Sequence, residues 1–302
     1  MASAKMHADE IHIDVSLVTR LIAEQFPQWK SFPLKSIEST GTSNAIYRLG
    51  DTMTVRLPRV ASSVAQLKKE QLWLPRLAPH LPLAVPVPVA QGVPNDSYPC
   101  EWSIYSWIEG ENANIASISN LNDAAKTLGR FIATLHQIDP TQGPLAGEHN
   151  FFRGVSLIEL DNRVRSALRS LRGMIDIQAA TTAWETALQV PPWKHRPSWV
   201  HGDLHVGNLL ARDGQLTAVI DFGGLGVGDP ACDMMAAWTY FTSKTRGTFR
   251  KEVQVDDATW ARGRGWALYF GLVALPYYQT TNPVLAEIAR TSIMEVLADT
   301  TP

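Results

Sequence analysis

Apolar residues at Val15, Val18, Leu21, Ile22 and Phe26 recur at the spacing of one helix face, with Asp14 placed to cap the start and Pro27 to end it. The period then shortens. Leu34 to Ser39, Ala45 to Leu49 and Met53 to Leu57 read as short strands, separated by Gly41-Thr42-Ser43-Asn44 and by Gly50-Asp51. Ser62 to Leu77 reads as a helix, in which Pro75 predicts an early stop or a kink. The prolines at 75, 79, 82, 86, 88 and 94 exclude a central strand there and predict a stiff connection or a sheet edge. Cys100 to Ile108 is a buried-strand candidate, broken by Glu109-Gly110-Glu111.

From Asn114 the period becomes helical. Leu121 to Gln137 carries one apolar face and ends at Asp139-Pro140. Phe151-Phe152-Arg153-Gly154 is expected to open a helix running to Leu171, and Trp184 to Leu188 is expected to form a short one. Near the end, helices are expected from about Asp256 to Leu275 and from Val284 to Leu297, split by Pro276 and Pro283. Asp229-Pro230 reads as a helix cap with proline at the first helical position, and Asp233 as a first-turn acid favoured by the helix dipole.

Between these helices lies Trp199 to Asp233, WVHGDLHVGNLLARDGQLTAVIDFGGLGVGDPACD. Leu209 to Arg212 and Leu216 to Ile220 flank Asp213-Gly214, a pair suited to the positive φ angles of a tight hairpin. If Arg212 faces Gln215, then Asn208 faces Val219 and Asp221 faces Val206. The amide and the carboxylate are then diagonal neighbours, about 7–8 Å apart at the backbone, and two such oxygen donors can share a hard cation such as Mg²⁺. Asp203 precedes Asn208 by five positions. Asp203, Asn208 and Asp221-Phe222-Gly223 match the spacing of a phosphoryl-transfer site, in which one Asp receives the proton of the attacking hydroxyl while the Asn and second Asp hold the metal.

Composition narrows the field. With 302 residues the chain has ample length for a core, and its 45% hydrophobic and 19% charged content is ordinary for a soluble globular protein. A net charge of −2 offers no field for a polyanion, so nucleic acid is not an expected partner. Cys100 and Cys232 are too few for a disulfide framework or a thiolate metal cage. Neither a signal-peptide pattern nor a membrane-length apolar run is present, so a cytoplasmic protein without membrane partners is expected. His201 and His205 stand at i, i+4, but Gly202 and the missing H-E-x-x-H glutamate exclude a helical zinc pair; His201 is expected to brace the loop. Gly224, Gly226 and Gly228 lack the βαβ setting of a dinucleotide fingerprint.

HGDLHVGN followed by VIDFGGLGVGDPACD resembles the aminoglycoside phosphotransferase family of antibiotic-resistance kinases. The likeness is strongest over residues 199–238 and weaker over 36–110. It implies an α+β, bilobal, protein-kinase-like fold: a small antiparallel-sheet N-lobe over residues 1–109 and a larger, mostly helical C-lobe over 110–302, with the nucleotide between them. It implies Asp203 as catalytic base and Asn208 and Asp221 as Mg²⁺ ligands. Thr42, Ser43 and Asn44 would lie over the phosphates of ATP or GTP. Arg56 would stand where kinases carry a phosphate-binding Lys, with Glu70 as its ion-pair partner. Backbone groups around Tyr105 and Trp107 would meet the base. Lys68 and Lys69 are read as a solvated helix face.

The expected reaction is Mg²⁺-dependent transfer of a γ-phosphate to a hydroxyl of a small molecule, by a monomer. An aminoglycoside-type acceptor would need carboxylates, for which Glu109, Glu111, Glu159, Asp161 and Asp233 are candidates. A macrolide or a metabolic amino alcohol is the alternative, with aromatic residues of the C-terminal third lining an apolar pocket. A nucleotide-binding protein without catalysis is a further alternative. A protein kinase is disfavoured: seven residues separate Asp221 from Asp229, too few for a peptide-docking activation loop, and Gly202 replaces the Arg that reads a phosphorylated one.

Overall fold

The computed structural model describes residues 11–37, 43–114 and 117–299. Within it the backbone forms two compact units, one of residues 1–79 and 84–109, the other of 80–83 and 110–302.

The first unit is built on one antiparallel sheet. Its strands are β1 (Leu34–Ile37), β2 (Asn44–Leu49), β3 (Met53–Pro58), β4 (Pro88–Gly92) and β5 (Trp102–Ser106), in the order β1-β2-β3-β5-β4. The proline-rich segment supplies the edge strand β4, where a missing N–H breaks no ladder. Alternation sorts the side chains. Tyr47, Leu49, Val55, Leu57, Trp102 and Ile104 join a core with Leu17, Val18, Leu21 and Ile22 of helix α1 (Val15–Gln25). Asp14 caps α1 through its side chain, which accepts from the Leu17 N–H at 2.7 Å. Arg56, Ser103 and Tyr105 take the opposite parity, where they meet Glu70 and Gln71 of α2 (Val64–Leu77). Helix α2 runs through Pro75 to Leu77, so no early stop occurs. Lys69 is another correction: it is buried, and desolvation lowers its ammonium to about 8, while Lys68 remains exposed and pairs with Glu101 at 3.0 Å. The apolar stripe of α2 is wide enough to bury position 69 together with Leu67 and Trp73.

The second unit is mostly helical. Helix α3 (Leu121–Gln137) has its expected bounds, with Asn120 as cap. The stretch from Phe151 departs from expectation: Phe151, Phe152 and Gly154 have φ of 58°, 63° and 89°, and the α-helix, α4, begins only at Asp161 and ends at Ser170. Buried Asn150 makes the turn, accepting from the Gly147 N–H at 2.9 Å and donating to Arg153 O at 2.8 Å. That local bonding competes with helix formation. Helix α5 spans Ile177–Gln189, longer than expected because Asp176 caps it upstream of Trp184. Strand β6 (Glu111–Asn112) pairs with β8 (Leu209–Arg212), and β8 with β9 (Gln215–Val219); β7 (Ser198–Val200) pairs with β10 (Gly226–Gly228). After these come α6 (Ala236–Thr239), α7 (Ser243–Val253), α8 (Asp257–Tyr278) and α9 (Pro283–Ala298). Helix α8 is buried along nearly its whole length and continues through Pro276. Trp238, Trp260, Trp266 and Tyr269 are core residues. No helix among the described residues is long and apolar enough to cross a membrane.

Candidate active site

The loop from His201 to Asn208 is fixed from below. Gly202 holds φ of +80°, and a Cβ there would lie 2.7 Å from the Arg153 Cβ, so glycine alone fits without strain. Beneath it, fully buried Asp233 accepts the backbone N–H of Gly202 at 2.7 Å and of His201 at 3.0 Å, and lies 3.1 Å from His136 Nε2. Asp233 is therefore a brace of the loop rather than only a helix-dipole partner, and it is unavailable to a ligand. The ring of His201 accepts the Asp203 N–H on Nδ1 at 3.2 Å and donates from Nε2 to Ile220 O at 3.1 Å. Desolvation pushes this imidazole below its ordinary value, in keeping with a neutral ring that bridges loop and hairpin.

The hairpin register differs from the regular one. Arg212 faces Gln215 as expected, but a bulge at Thr217 shifts the pairing, so Leu209 opposes Val219. Ile220 then donates its N–H to Asn208 O at 2.9 Å. Asp221 follows immediately in a left-handed conformation (φ 62°) that Asp tolerates better than most residues, one oxygen accepting the Gly223 N–H at 3.3 Å. One extra residue in β9 thus moves Asp221 a position closer to Asn208 than a regular ladder would.

Asn208 donates from Nδ2 to the Asp203 carbonyl at 2.9 Å and to Asp203 Oδ2 at 3.1 Å. The amide oxygen is the atom left for a cation. That oxygen and the Asp221 carboxylate are both hard oxygen donors, the kind that Mg²⁺ takes alongside water and phosphate oxygens. Asp203 keeps 29% of its side chain exposed, with Arg153 Nη2 at 3.3 Å from Oδ1 and His205 Nε2 at 3.6 Å from Oδ2. Burial alone would raise the Asp203 carboxyl; His205, Arg153 and His201 outweigh it and hold the group far below the usual carboxylate range. His205 is itself held, its Nδ1 accepting the Gly207 N–H at 3.0 Å and its ring stacked 5.6 Å from Phe270.

In the first unit, Arg56 Nη1 lies 2.8 Å from Glu70 Oε2, and the hydroxyl of Tyr105 donates to the same oxygen at 2.8 Å. The Tyr105 ring lies 5.1 Å beneath the guanidinium. Tyr105 is buried at 1% exposure, so its side chain orders the ion pair. The backbone N–H of Trp107 donates to Thr52 O at 2.8 Å, which spends that group beside the sheet, and the Trp107 ring packs 4.4 Å from the Arg48 guanidinium. Asn44 opens β2 and Ser43 precedes it, the Ser43 carbonyl accepting the Arg59 N–H at 2.9 Å; Thr42 and Gly41 lie outside the described residues.

Sequence reasoning missed the roles of Arg153 and Asp233. The only hint for Arg153 was the glycine after Phe-Phe-Arg, and nothing local tied it to Asp203. Of the carboxylates considered for a cationic acceptor, Glu109 pairs with Arg48 at 2.8 Å and Glu159 caps Ser156 N at 3.1 Å. Asp161 binds Arg165 and Trp184 Nε1, each at 2.9 Å, and Glu111 is exposed.

The profile of the phosphotransferase enzyme family matches residues 36–266. An uncharacterized protein, YcbJ of Bacillus subtilis (strain 168), is 27% identical over 197 residues, 62% of this chain; the match spans 58% of that protein's length. Among solved structures, the GDP and kanamycin complex of APH(2″)-IIia superposes with a TM-score of 0.72 at 18% identity, covering 94% of this chain and 99% of that one. Macrolide 2'-phosphotransferase MphH from Brachybacterium faecium gives a TM-score of 0.62 at 22% identity, covering 93% and 97%. At these identities the structural likenesses establish the kinase-like fold.

Proposed function

Since the chain belongs to the phosphotransferase enzyme family, whose members are small-molecule phosphotransferases, we propose that it moves the γ-phosphate of ATP or GTP onto a hydroxyl of a small organic acceptor, with Asp203 at the reacting oxygen. The observation that carries this reading is the Asn208 amide bonded to both the carbonyl and the carboxylate of Asp203, while the Asn208 carbonyl accepts the N–H of Ile220, the residue before Asp221. Asp203 accepts a hydrogen bond from the acceptor hydroxyl. As the new O–P bond forms and the bond to the nucleoside diphosphate breaks, the proton passes to Asp203 and then to solvent. Because its neighbours stabilise the anion, Asp203 is a weak base that orients the hydroxyl throughout and takes the proton late. Asn208 Oδ1 and Asp221 would hold Mg²⁺, which when bound neutralises charge on the phosphates. Arg56, fixed by Glu70 and Tyr105, would contact the phosphates as a bidentate fork.

For the acceptor, an aminoglycoside-type alcohol is supported by the kanamycin complex of a protein with this fold. A specific observation favours a second reading, a macrolide-like or smaller amino alcohol: Asp233 is buried, Glu109, Glu159 and Asp161 are engaged, and Arg153 places a positive charge beside Asp203. A monomer working in the cytoplasm is part of the proposal, the compartment being supported by two buried free cysteines. The test is phosphate transfer from ATP and GTP to a panel of aminoglycosides, macrolides and amino alcohols. Asp203→Ala should lower turnover by about 10²–10⁴-fold with nucleotide binding retained. Tight nucleotide binding without transfer to any acceptor would replace the enzyme by a nucleotide-binding protein.

A further inference from the structure

We infer that Arg153 is a positioning residue for Asp203, a fixed cation that aims the carboxylate and is itself held by the aromatic face of α8 and the left-handed turn around it. Three features place it. The turn of Phe151, Phe152 and Gly154, closed by buried Asn150, carries residue 153 across to the loop. Its Nη2 lies 3.3 Å from Asp203 Oδ1, while Asn208 Nδ2 takes Oδ2 at 3.1 Å, so the two carboxylate oxygens have different donors and the plane of the group is set from both sides. The guanidinium carbon lies 5.9 Å from the ring centre of Tyr269 and 6.0 Å from that of Phe270, and Phe270 also carries the ring of His205. Phe270 of α8 therefore packs against two of the basic groups that face the Asp203 carboxylate, Arg153 and His205.

The side chain of Arg153 is 13% exposed, and its Nη1 has no hydrogen-bond partner among the described residues. A guanidinium buried to this extent for stability alone would be expected to satisfy its donors; here the contact kept is the one to Asp203. The charged and titratable groups facing Arg153 are Asp203, Cys232, Tyr269 and Tyr278, and those facing Asp203 are Arg153, His201 and His205. Among these, Arg153 is the group whose charge is constant across the working pH range.

The inference rests on the phosphotransfer reading only in taking Asp203 as partner of the acceptor hydroxyl, and its first test needs no turnover. Crystal structures of the wild type, Arg153→Gln and Arg153→Lys give the orientation of the Asp203 carboxylate directly. In Arg153→Gln the carboxylate should turn away from its wild-type position, and in Arg153→Lys it should return to it. Hydrolysis of Mg·ATP and Mg·GTP with water as acceptor supplies the second readout. There Arg153→Gln should lower kcat at least tenfold with KM for nucleotide within twofold, and Arg153→Lys should recover activity. An unmoved carboxylate in a folded Arg153→Gln protein refutes the role. Absence of hydrolysis in the wild type would count against the phosphotransfer reading and leave the orientation of the carboxylate to decide this one.

Discussion

Asp233 offers the sharpest perturbation outside the reacting groups. Its carboxylate, itself without solvent contact, accepts two backbone N–H groups of the loop and faces the half-buried His136. Asp233→Ala removes the acceptor and leaves two buried backbone donors unsatisfied. At about 1–3 kcal/mol for each stranded donor, with relaxation recovering part, the loss is roughly 3–6 kcal/mol once His136 is included. Thermal midpoints move by about 2–4 °C per kcal/mol in a body of some 200 residues, so circular dichroism melting should show a fall of roughly 6–24 °C. Asp233→Asn keeps the shape and one acceptor oxygen but turns an amide donor toward the other N–H; it should fall between wild type and Ala. Both variants should lose kcat more than nucleotide affinity, because His201 and Gly202 set the position of Asp203. If Asp233→Ala melted within about 2 °C of wild type, the loop would not depend on this carboxylate. If its kcat were also unchanged, Asp233 would have no part in holding Asp203.

Three further outcomes can be checked. Arg262 and Asp229 form a buried pair at 2.7 and 3.2 Å with side-chain exposures of 4% and 6%, so Asp229→Ala should destabilise the second unit by about 3–5 kcal/mol in urea unfolding, more than the loss of an ordinary cap. Gly202→Ala must hold φ near +80° with its Cβ 2.9 Å from Gly224 O, and should lower kcat while leaving far-UV dichroism intact; wild-type kcat would refute the strain. Burial depresses the His201 imidazole, so below about pH 6.5 the unfolded chain binds a proton that the folded one resists; stability supplied by the neutral ring is present above that pH and lost as pH falls through the folded value. Urea midpoints from pH 8 to 5 should therefore decline in the wild type and decline less in His201→Gln.

The elements that depend on neighbours within a few residues were legible in the sequence. Alternation in β2 and β3 set which side chains face α1 and left Arg56 on the side of α2. Helical spacing and caps bounded α1 and α3, and Asp-Gly located the β8–β9 turn. Spacing also singled out Asp203 and Asn208, which the structure joins through hydrogen bonds. Other features were decided by packing. The bulge at Thr217 altered the register that brings Asp221 toward Asn208. Asp233 and His136 are 97 residues apart, and Arg153 and Asp203 are 50 apart. Local preferences act over a turn of helix or one hairpin, and they carry no information about which distant donor will satisfy a buried carboxylate. That choice follows from which surfaces lose water together, so the groups that aim Asp203 became visible only once the chain was folded.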